Sequence, residues 1–431
     1  MRNAQKVSYM GMDCHKNFSR ATARDEGGRI VFRQRVEHGP RAEFRAAVAQ
    51  WPAGTPVVLE GTFGWGWIAD ELKAAGHEPH LASSRKVAGW RKARGLAKSN
   101  RIDADLLSEL WGERERWWEV WLAPPEVRDQ REWLRYRMGL VGVQTMTKNR
   151  IHATLHRHGI LHEYSDVFGT KGRAFLKALS EADEPLRESA RQSLAGYLKL
   201  LEQVRGQIAQ VTRELRRQVM NNPQAELWRS MPGISWVLAY TIQAEVGDIR
   251  RFADGRHLAS YSLLAPLAED SGDEEAETPL GRHVGHAGRR TLKWAFITAA
   301  HGAVRKSSQF RGVYDRRTEG GKRDRNRGTI AVARHLAMVG FACVSKQRRY
   351  TEDRPERPGR QKEPTDGEPT RDRSAERPGT RSGRAKRPAD RSNKNGDDMN
   401  QKHTGHSHPE PGQPDAPMAA AVPARRLRAS M

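Results

Sequence analysis

The stretch KVSYMGMDCHKNFSRATARDEGGRIVFRQRV (residues 6–36) decides the fold of the N-terminal part. Its segments 6–14, 17–24 and 29–36 are short, β-biased and separated by tight polar turns, a pattern that predicts a three-stranded antiparallel meander. A helical pattern over 40–51 follows, then the apolar strand PVVLE at 56–60, a helix over 64–76 closed by Gly76, and a fifth strand over 77–82. The resulting order, βββαβα, makes strands one and four neighbours in an α/β unit. A further helix over 101–114 carries two acids at its head, Asp103 and Asp105.

Charge narrows the partner. The 431 residues carry 75 Lys and Arg against 52 Asp and Glu, a net charge of +23, which favours a polyanion such as nucleic acid. Residues 346–431 hold 20 basic and 13 acidic residues, 11 of the 22 prolines and one aromatic, Tyr350. That segment reads as a disordered basic tail, because it has too little apolar surface to bury. It accounts for +7, so +16 remains on residues 1–345 and the folded part is itself basic. Two distant cysteines, Cys14 and Cys343, argue against a disulfide framework or zinc site and for a reducing, cytoplasmic setting. The N-terminus lacks an apolar signal core, and no run is read as long and apolar enough to span a membrane.

Beyond the first unit, residues 128–158 and 184–220 form long, charge-rich helical patterns. The first places Leu134, Met138 and Val141 on one stripe; the second places Leu194, Tyr197, Leu201, Val204, Ile208 and Val211 in the alternating steps of a coiled-coil seam. Together they predict an arm. Residues 227–252 read as helix, Pro-Gly turn, helix, similar to a helix-hairpin-helix whose turn amides can hold a DNA phosphate. Helices near 290–305 and 329–345 close the folded part.

Three acids stand at telling places. Asp13 lies near the end of the first strand, Glu60 at the end of the fourth, and Asp103 at the start of a later helix. Hard divalent ions prefer oxygen ligands, and two-metal nucleases hold them with carboxylates placed in this way. A lone acid at such a place ordinarily ends a strand or caps a helix, so it is the combination that signals. On a helix, residues three apart lie about 60° apart around the axis and residues two apart about 160°. Asn100 therefore shares a face with Asp103, while Asp105 is expected among solvated charges.

A second constellation is Ser271, in the acidic loop EDSGDEEAE, followed by Arg282, His283, His286, Arg289, Arg290 and Lys293. A serine can attack a phosphate that cations hold in place. The simpler reading is a turn followed by a phosphate-binding surface. His152, His156 and His158 lack a firm third ligand for zinc, and the pairs Trp65/Trp67 and Trp117/Trp118 read as packing. Neither a P-loop nor a dinucleotide fingerprint is present.

The stretches YMGMDCHK (9–16), VVLEGTFGWG (57–66), KSNRIDADLLSEL (98–110), 227–272 and HAGRRTLKWAF (286–296) resemble the DEDD transposases and recombinases of bacterial insertion sequences, the family that includes the Piv-type DNA invertases. The resemblance implies an α/β RNase H-like (RuvC-like) domain over 1–124 and a helical coiled-coil arm over 125–224. It implies a mainly α transposase domain with the helix-hairpin-helix over 225–345, before the disordered tail over 346–431. It places Asp13, Glu60 and Asp103 as ligands of Mg2+ (or Mn2+) and Ser271 as the nucleophile of a phosphoserine intermediate. Asn100 falls where the family carries its third acid, offering a carbonyl oxygen but one negative charge fewer. His286 falls where lysine is usual. Arg282, His286, Arg289, Arg290 and Lys293 would position the nucleic-acid backbone. The implied partners are double-stranded DNA, a structured guide RNA and further copies of the chain, as homodimer or homotetramer.

The expected function is therefore that of an insertion-sequence transposase or site-specific recombinase. Two alternatives compete with it: a hydrolytic RuvC-like junction nuclease in which water attacks, and a catalytically impaired nucleic-acid-binding protein.

Overall fold

A computed structural model describes residues 7–62, 64–113, 119–267, 283–284, 289–321 and 324–352. One compact unit spans Met1–Pro355. The chain is mixed α/β at its N-terminal end and mostly helical thereafter. The expected tail lies outside the described residues from 353 onward, as do Trp117 and Trp118.

Strands β1 (Tyr9–Cys14), β2 (Phe18–Arg24) and β3 (Ile30–Glu37) form the antiparallel meander, and β1 pairs in parallel with β4 (Pro56–Glu60). Beyond β4 come β5 (Glu78–Ala82), parallel, and β6 (Glu119–Val120), antiparallel, giving the order β3-β2-β1-β4-β5-β6. Because side chains alternate along a strand, the central strands bury both faces. Met10, Met12, Val57 and Leu59 pack with Phe44 and Val48 of α1 (Arg41–Val48) and Ile68, Ala69 and Leu72 of α2 (Trp65–Ala74). Trp65 and Trp67 lie against this core as packing residues.

The opposite face receives α4 (Asn100–Gly112), whose Leu106, Leu107 and Leu110 cluster with Val58 and Ala82. Gly11 makes this possible: a Cβ there would lie 2.0 Å from the Ser108 amide nitrogen. Arg24 clamps the same helix, donating from Nε to Ser108 Oγ at 2.7 Å and from Nη2 to Glu109 at 2.9 Å. The sequence placed Asp105 among solvated charges; instead it accepts from Thr22 Oγ1 at 2.8 Å and from Arg33 Nε and Nη2 at 2.8 and 2.9 Å. It braces α4 to β2 and β3, because its side of the helix overhangs the meander. Helix α3 (Ser84–Ala93), which the sequence reading missed, packs beside α4.

Helices α5 (Pro125–Arg157) and α7 (Glu188–Met220) lie alongside each other, with α6 (Thr170–Glu181) between them in sequence. Leu194, Leu201, Val204 and Val211 of α7 are buried as the seam predicted. On α5 the predicted stripe is corrected. Met138 is 40% exposed, and the inward face instead carries Leu134, Thr147, Ile151 and Leu155. Leu134, Val211, Leu215 and Val219 share a core with the C-terminal helices, whereas Ile151, Leu155, Leu194 and Leu201 close a separate cluster with α6.

The C-terminal core gathers α8 (Pro223–Arg229), α9 (Trp236–Val246), α10 (Gly255–Tyr261), α11 (Arg290–Lys306), α12 (Ser308–Thr318) and α13 (Arg325–Ser345) around the fully buried Trp228. The Pro-Gly turn between α8 and α9 is not free for a phosphate, as the hairpin reading supposed. Gly233, at φ 84°, faces α11 so closely that a Cβ would lie 2.1 Å from the Ala299 carbonyl oxygen. Helix α13, 21 residues with mean hydropathy 1.4, is long and apolar enough to cross a membrane by length and composition, contrary to the sequence reading. In this fold it packs against α10, α11 and α12, burying Val332, Ala333, Leu336 and Val344. Residues 346–352, assigned to the tail from sequence, pack back on the unit. The Tyr350 amide donates to Ser230 Oγ at 2.9 Å, and Glu352 accepts from Ser307, Ser308 and the Gln309 amide.

Candidate active site and nucleic-acid interface

Register brings the first two acids together. Met12 of β1 pairs with Leu59 of β4, so the next residues, Asp13 and Glu60, stand side by side on the face that α4 covers. Helix α4 is started by Ser99, whose hydroxyl accepts from the Ile102 amide at 3.2 Å, and this sets Asp103 in the first helical turn over the strand ends. Asp13 and Asp103 are each 6% exposed and Glu60 is half-buried; Asn100, the first residue of α4, is exposed.

The electrostatics reflect this convergence. Burial pushes the Asp13 carboxyl above its usual range, and Asp103 and Glu60 push the same way, while His15 opposes them. Asp13 Oδ2 lies 3.0 Å from His15 Nε2, but the alignment makes no hydrogen bond, so the buried oxygen is without a hydrogen-bond partner. Thr62 Oγ1, just beyond Glu60, is likewise unpartnered. Asp103 is held differently, accepting from Nη1 of Arg91, on the last turn of α3, at 2.7 Å.

An all-oxygen donor set with an unsatisfied buried carboxylate oxygen fits a hard divalent cation in its chemistry. In geometry the fit is incomplete: among the described residues, no group of three or more His, Cys, Asp or Glu is gathered to hold a metal ion. Asp13, Glu60 and Asp103 are neighbours, and Arg91 holds Asp103. Cys14 is buried, its thiol pushed up to about 12 by burial, and serves the core. His152 packs its ring against Phe168 and joins no ligand group among the described residues.

The second predicted constellation is only partly visible, since Ser271, Arg282 and His286 lie outside the described residues. The ends of the segment that carries them are described. Strands β7 (Pro266–Leu267) and β8 (His283–Val284) pair antiparallel, so residues 268–282 connect the two arms of a hairpin. At its neck the Arg289 amide donates to the Tyr261 carbonyl at 3.3 Å and Arg289 Nε donates to Tyr261 Oη at 3.0 Å.

Arg289 is thus less free for phosphate than the sequence suggested. It belongs to a cluster with Arg131, Arg251, Tyr261 and Glu245, whose Oε2 lies 3.5 Å from Arg289 Nε and 3.8 Å from Arg131 Nε. Arg131 and Arg251 also donate to the last carbonyls of α9, at Ala244 and Val246. Burial lowers Arg131 to about 10. For Tyr261, burial raises the phenol, but Arg289 and Arg251 outweigh it and hold it below its usual range.

Arg290 is exposed at the start of α11 and Lys293 half-buried one turn on. Between helical neighbours of that exposed face stands Trp294, 44% exposed, with His301 and Arg305 continuing the stripe. Sequence reasoning missed Trp294, whose signal was its four-residue step from Arg290. It missed Arg91, Glu245 and Tyr261 as well, which carry no motif and acquire meaning only from their partners.

Comparisons with known proteins agree with this arrangement. Residues 10–160 match the DEDD transposase domain, and residues 225–315 match the domain described as Transposase IS116/IS110/IS902 family. The class is therefore that of the DEDD transposases. The chain belongs to the IS116/IS110/IS902 family of transposases. It is 25% identical to the transposase for insertion sequence element IS1111A of Coxiella burnetii, over 81% of this chain and 93% of that one. It is 24% identical to a probable family 20 transposase of Pseudomonas aeruginosa, over 80% and 98% respectively. A shorter match, 27% identical over 30% of this chain and 39% of the other, is to the pilin gene-inverting protein of Moraxella bovis.

Proposed function

We propose that the protein is a site-specific DNA recombinase that moves an insertion sequence, cutting and rejoining DNA through a serine ester. The observation that carries the reading is the juxtaposition of Asp13 and Glu60 on paired strands under Asp103, in a chain of transposase family. The order β3-β2-β1-β4-β5 supports an RNase H-like (RuvC-like) unit over 1–124, with a coiled-coil arm over 125–224 and a transposase domain over 225–345.

Asp13, Glu60 and Asp103 would hold a divalent ion, Mg2+ or Mn2+, which supplies charge neutralisation at a phosphodiester and acidifies a hydroxyl. Ser271 attacks phosphorus through Oγ: the new phosphoserine ester forms as one phosphorus–oxygen bond to deoxyribose breaks. The serine proton departs to solvent and the released sugar hydroxyl gains one, so one ester replaces another and the bond can be returned to a second strand. Arg290, Lys293 and the hairpin's Arg282 and His286 hold the backbone, while Arg289 keeps the hairpin closed at its neck.

The +16 on residues 1–345 supports a polyanion larger than one duplex, and we include a structured guide RNA among the partners. Exposed Tyr136, Met138 and Met146 on α5 support assembly of copies through the arm. The setting is the bacterial cytoplasm. The test is Ser271→Ala: the covalent protein–DNA adduct should vanish while DNA binding persists. An adduct that survives the substitution rejects the serine, and free hydrolysed ends from the wild type replace this reading by the junction nuclease.

A further inference from the structure

We infer that Arg91 and Asn100 together set the acidic site up for one divalent ion rather than two, with Arg91 holding the carboxylate that a second ion would need. The inference rests on the reading of Asp13, Glu60 and Asp103 as metal ligands, and it concerns what this chain's own residues do to that site.

Two adjacent divalent ions need several carboxylates to offset their mutual repulsion. Here the face of α4 that turns toward β1 and β4 offers Asp103 and, one turn before it, the neutral amide of Asn100. Asp103 is committed. Its Oδ1 accepts from Arg91 Nη1 at 2.7 Å, and the two side chains are 9% and 15% exposed. A charge-assisted pair of this kind is costly to open, because the ion left behind is buried and uncompensated. An ion arriving at Asp103 must displace the guanidinium. At Asp13 the situation is reversed, since a buried Oδ2 makes no hydrogen bond and Glu60 stands next to it.

The charge count points the same way. With His15 neutral, three carboxylates and one guanidinium sum to minus two, which a single divalent ion neutralises. Exchanging Arg91 for a neutral residue and Asn100 for aspartate would give minus four, the balance of two ions. Arg91 is not idle in this arrangement. A guanidinium has five N–H donors, more than one carboxylate oxygen uses, and its fork matches a phosphate. It takes the second ion's part in offsetting phosphate charge, from a position fixed by α3.

The experiment counts bound ions. Mn2+ is titrated into the full-length protein without DNA, and free Mn2+ is read by electron paramagnetic resonance. The wild type is expected to bind one ion per chain and the folded double variant Arg91→Gln, Asn100→Asp two. Asn100 is exposed, so Asn100→Asp alone leaves the buried pair intact; it should tighten the single ion about tenfold without adding another. Two ions in the wild type, a folded double variant that stays at one, or an Asn100→Asp affinity equal to the wild type would each overturn the inference and leave the recombinase reading standing. A wild type that binds no Mn2+ overturns both this inference and the metal-ligand assignment beneath it.

Discussion

Gly11 of β1 lies directly beneath Ser108 of α4, so close that a Cβ on Gly11 would stand 2.0 Å from the Ser108 nitrogen and 2.7 Å from the Ala104 carbonyl oxygen. The contact is backbone to backbone, so no flexible side chain can yield. It also fixes the height of α4 above β1, and with it the approach of Asp103 to Asp13. Gly11→Ala should cost about 3 kcal/mol, the upper part of the range for overpacking, read as a lowered urea midpoint. A change of under about 0.5 kcal/mol would mean that α4 does not rest on this strand.

Asp13 should destabilise the metal-free protein. Its carboxyl is pushed up by burial and by Asp103 and Glu60, so the folded state prefers the protonated form. That preference stabilises the protein fully below the ordinary Asp value of 3.8 and is lost as pH rises through the elevated value. Asp13→Asn should therefore raise stability at pH 7 by about 1 kcal/mol, with the gap closing as pH falls toward 4. Melting curves in EDTA across that range check it. A variant less stable than the wild type at pH 7 would show that the carboxylate is satisfied in the fold.

The Arg289 to Tyr261 hydrogen bond closes the neck of the hairpin whose connecting residues include Ser271. Tyr261→Phe removes the phenolic oxygen and leaves the ring packed against Phe252. Adduct formation should slow by about tenfold to a hundredfold, as expected when a reacting group loses its positioning, while DNA affinity stays within about twofold. Equal rates in the two proteins would free the neck of any part in positioning.

Trp294 is large, apolar and 44% exposed on the same helix as Arg290 and Lys293. Trp294→Ala should leave thermal stability within about 0.5 kcal/mol of the wild type, because little packing is lost. DNA affinity should fall by about 1 kcal/mol or more if the indole lies against nucleic acid, measured by fluorescence anisotropy at fixed salt. Unchanged affinity would leave the interface to Arg290 and Lys293 alone.

The meander, the pairing of β1 with β4 and the candidate ligands Asp13, Glu60 and Asp103 were legible because they follow from local periodicity and strand order. Choosing between Asp103 and Asp105 was also legible, from helical geometry. The fate of Asp105 was not. Its bond to Arg33 joins residues 72 positions apart, and only the height of α4 over the meander brings them together. Met138 was misplaced for a related reason: an apolar residue at helical spacing marks a stripe, but the neighbouring helix determines which stripe is covered. The Pro-Gly turn read as a phosphate grip, yet α11 occupies that side of Gly233.

What the sequence determined by itself is the kind of chain this is. Composition sets its basic charge, period-two and helical patterns set its elements, and short ordered motifs set its likeness to transposases, all properties that neighbours along the chain decide. What the tertiary structure alone decided is the state of the site. The Arg91 guanidinium on Asp103, the unpartnered oxygen of Asp13 and the arginines around Tyr261 come from elements that meet only when α3, α4, α5, α9 and α10 have packed. Charge interactions depend on distance and burial, and neither is a function of position in the sequence.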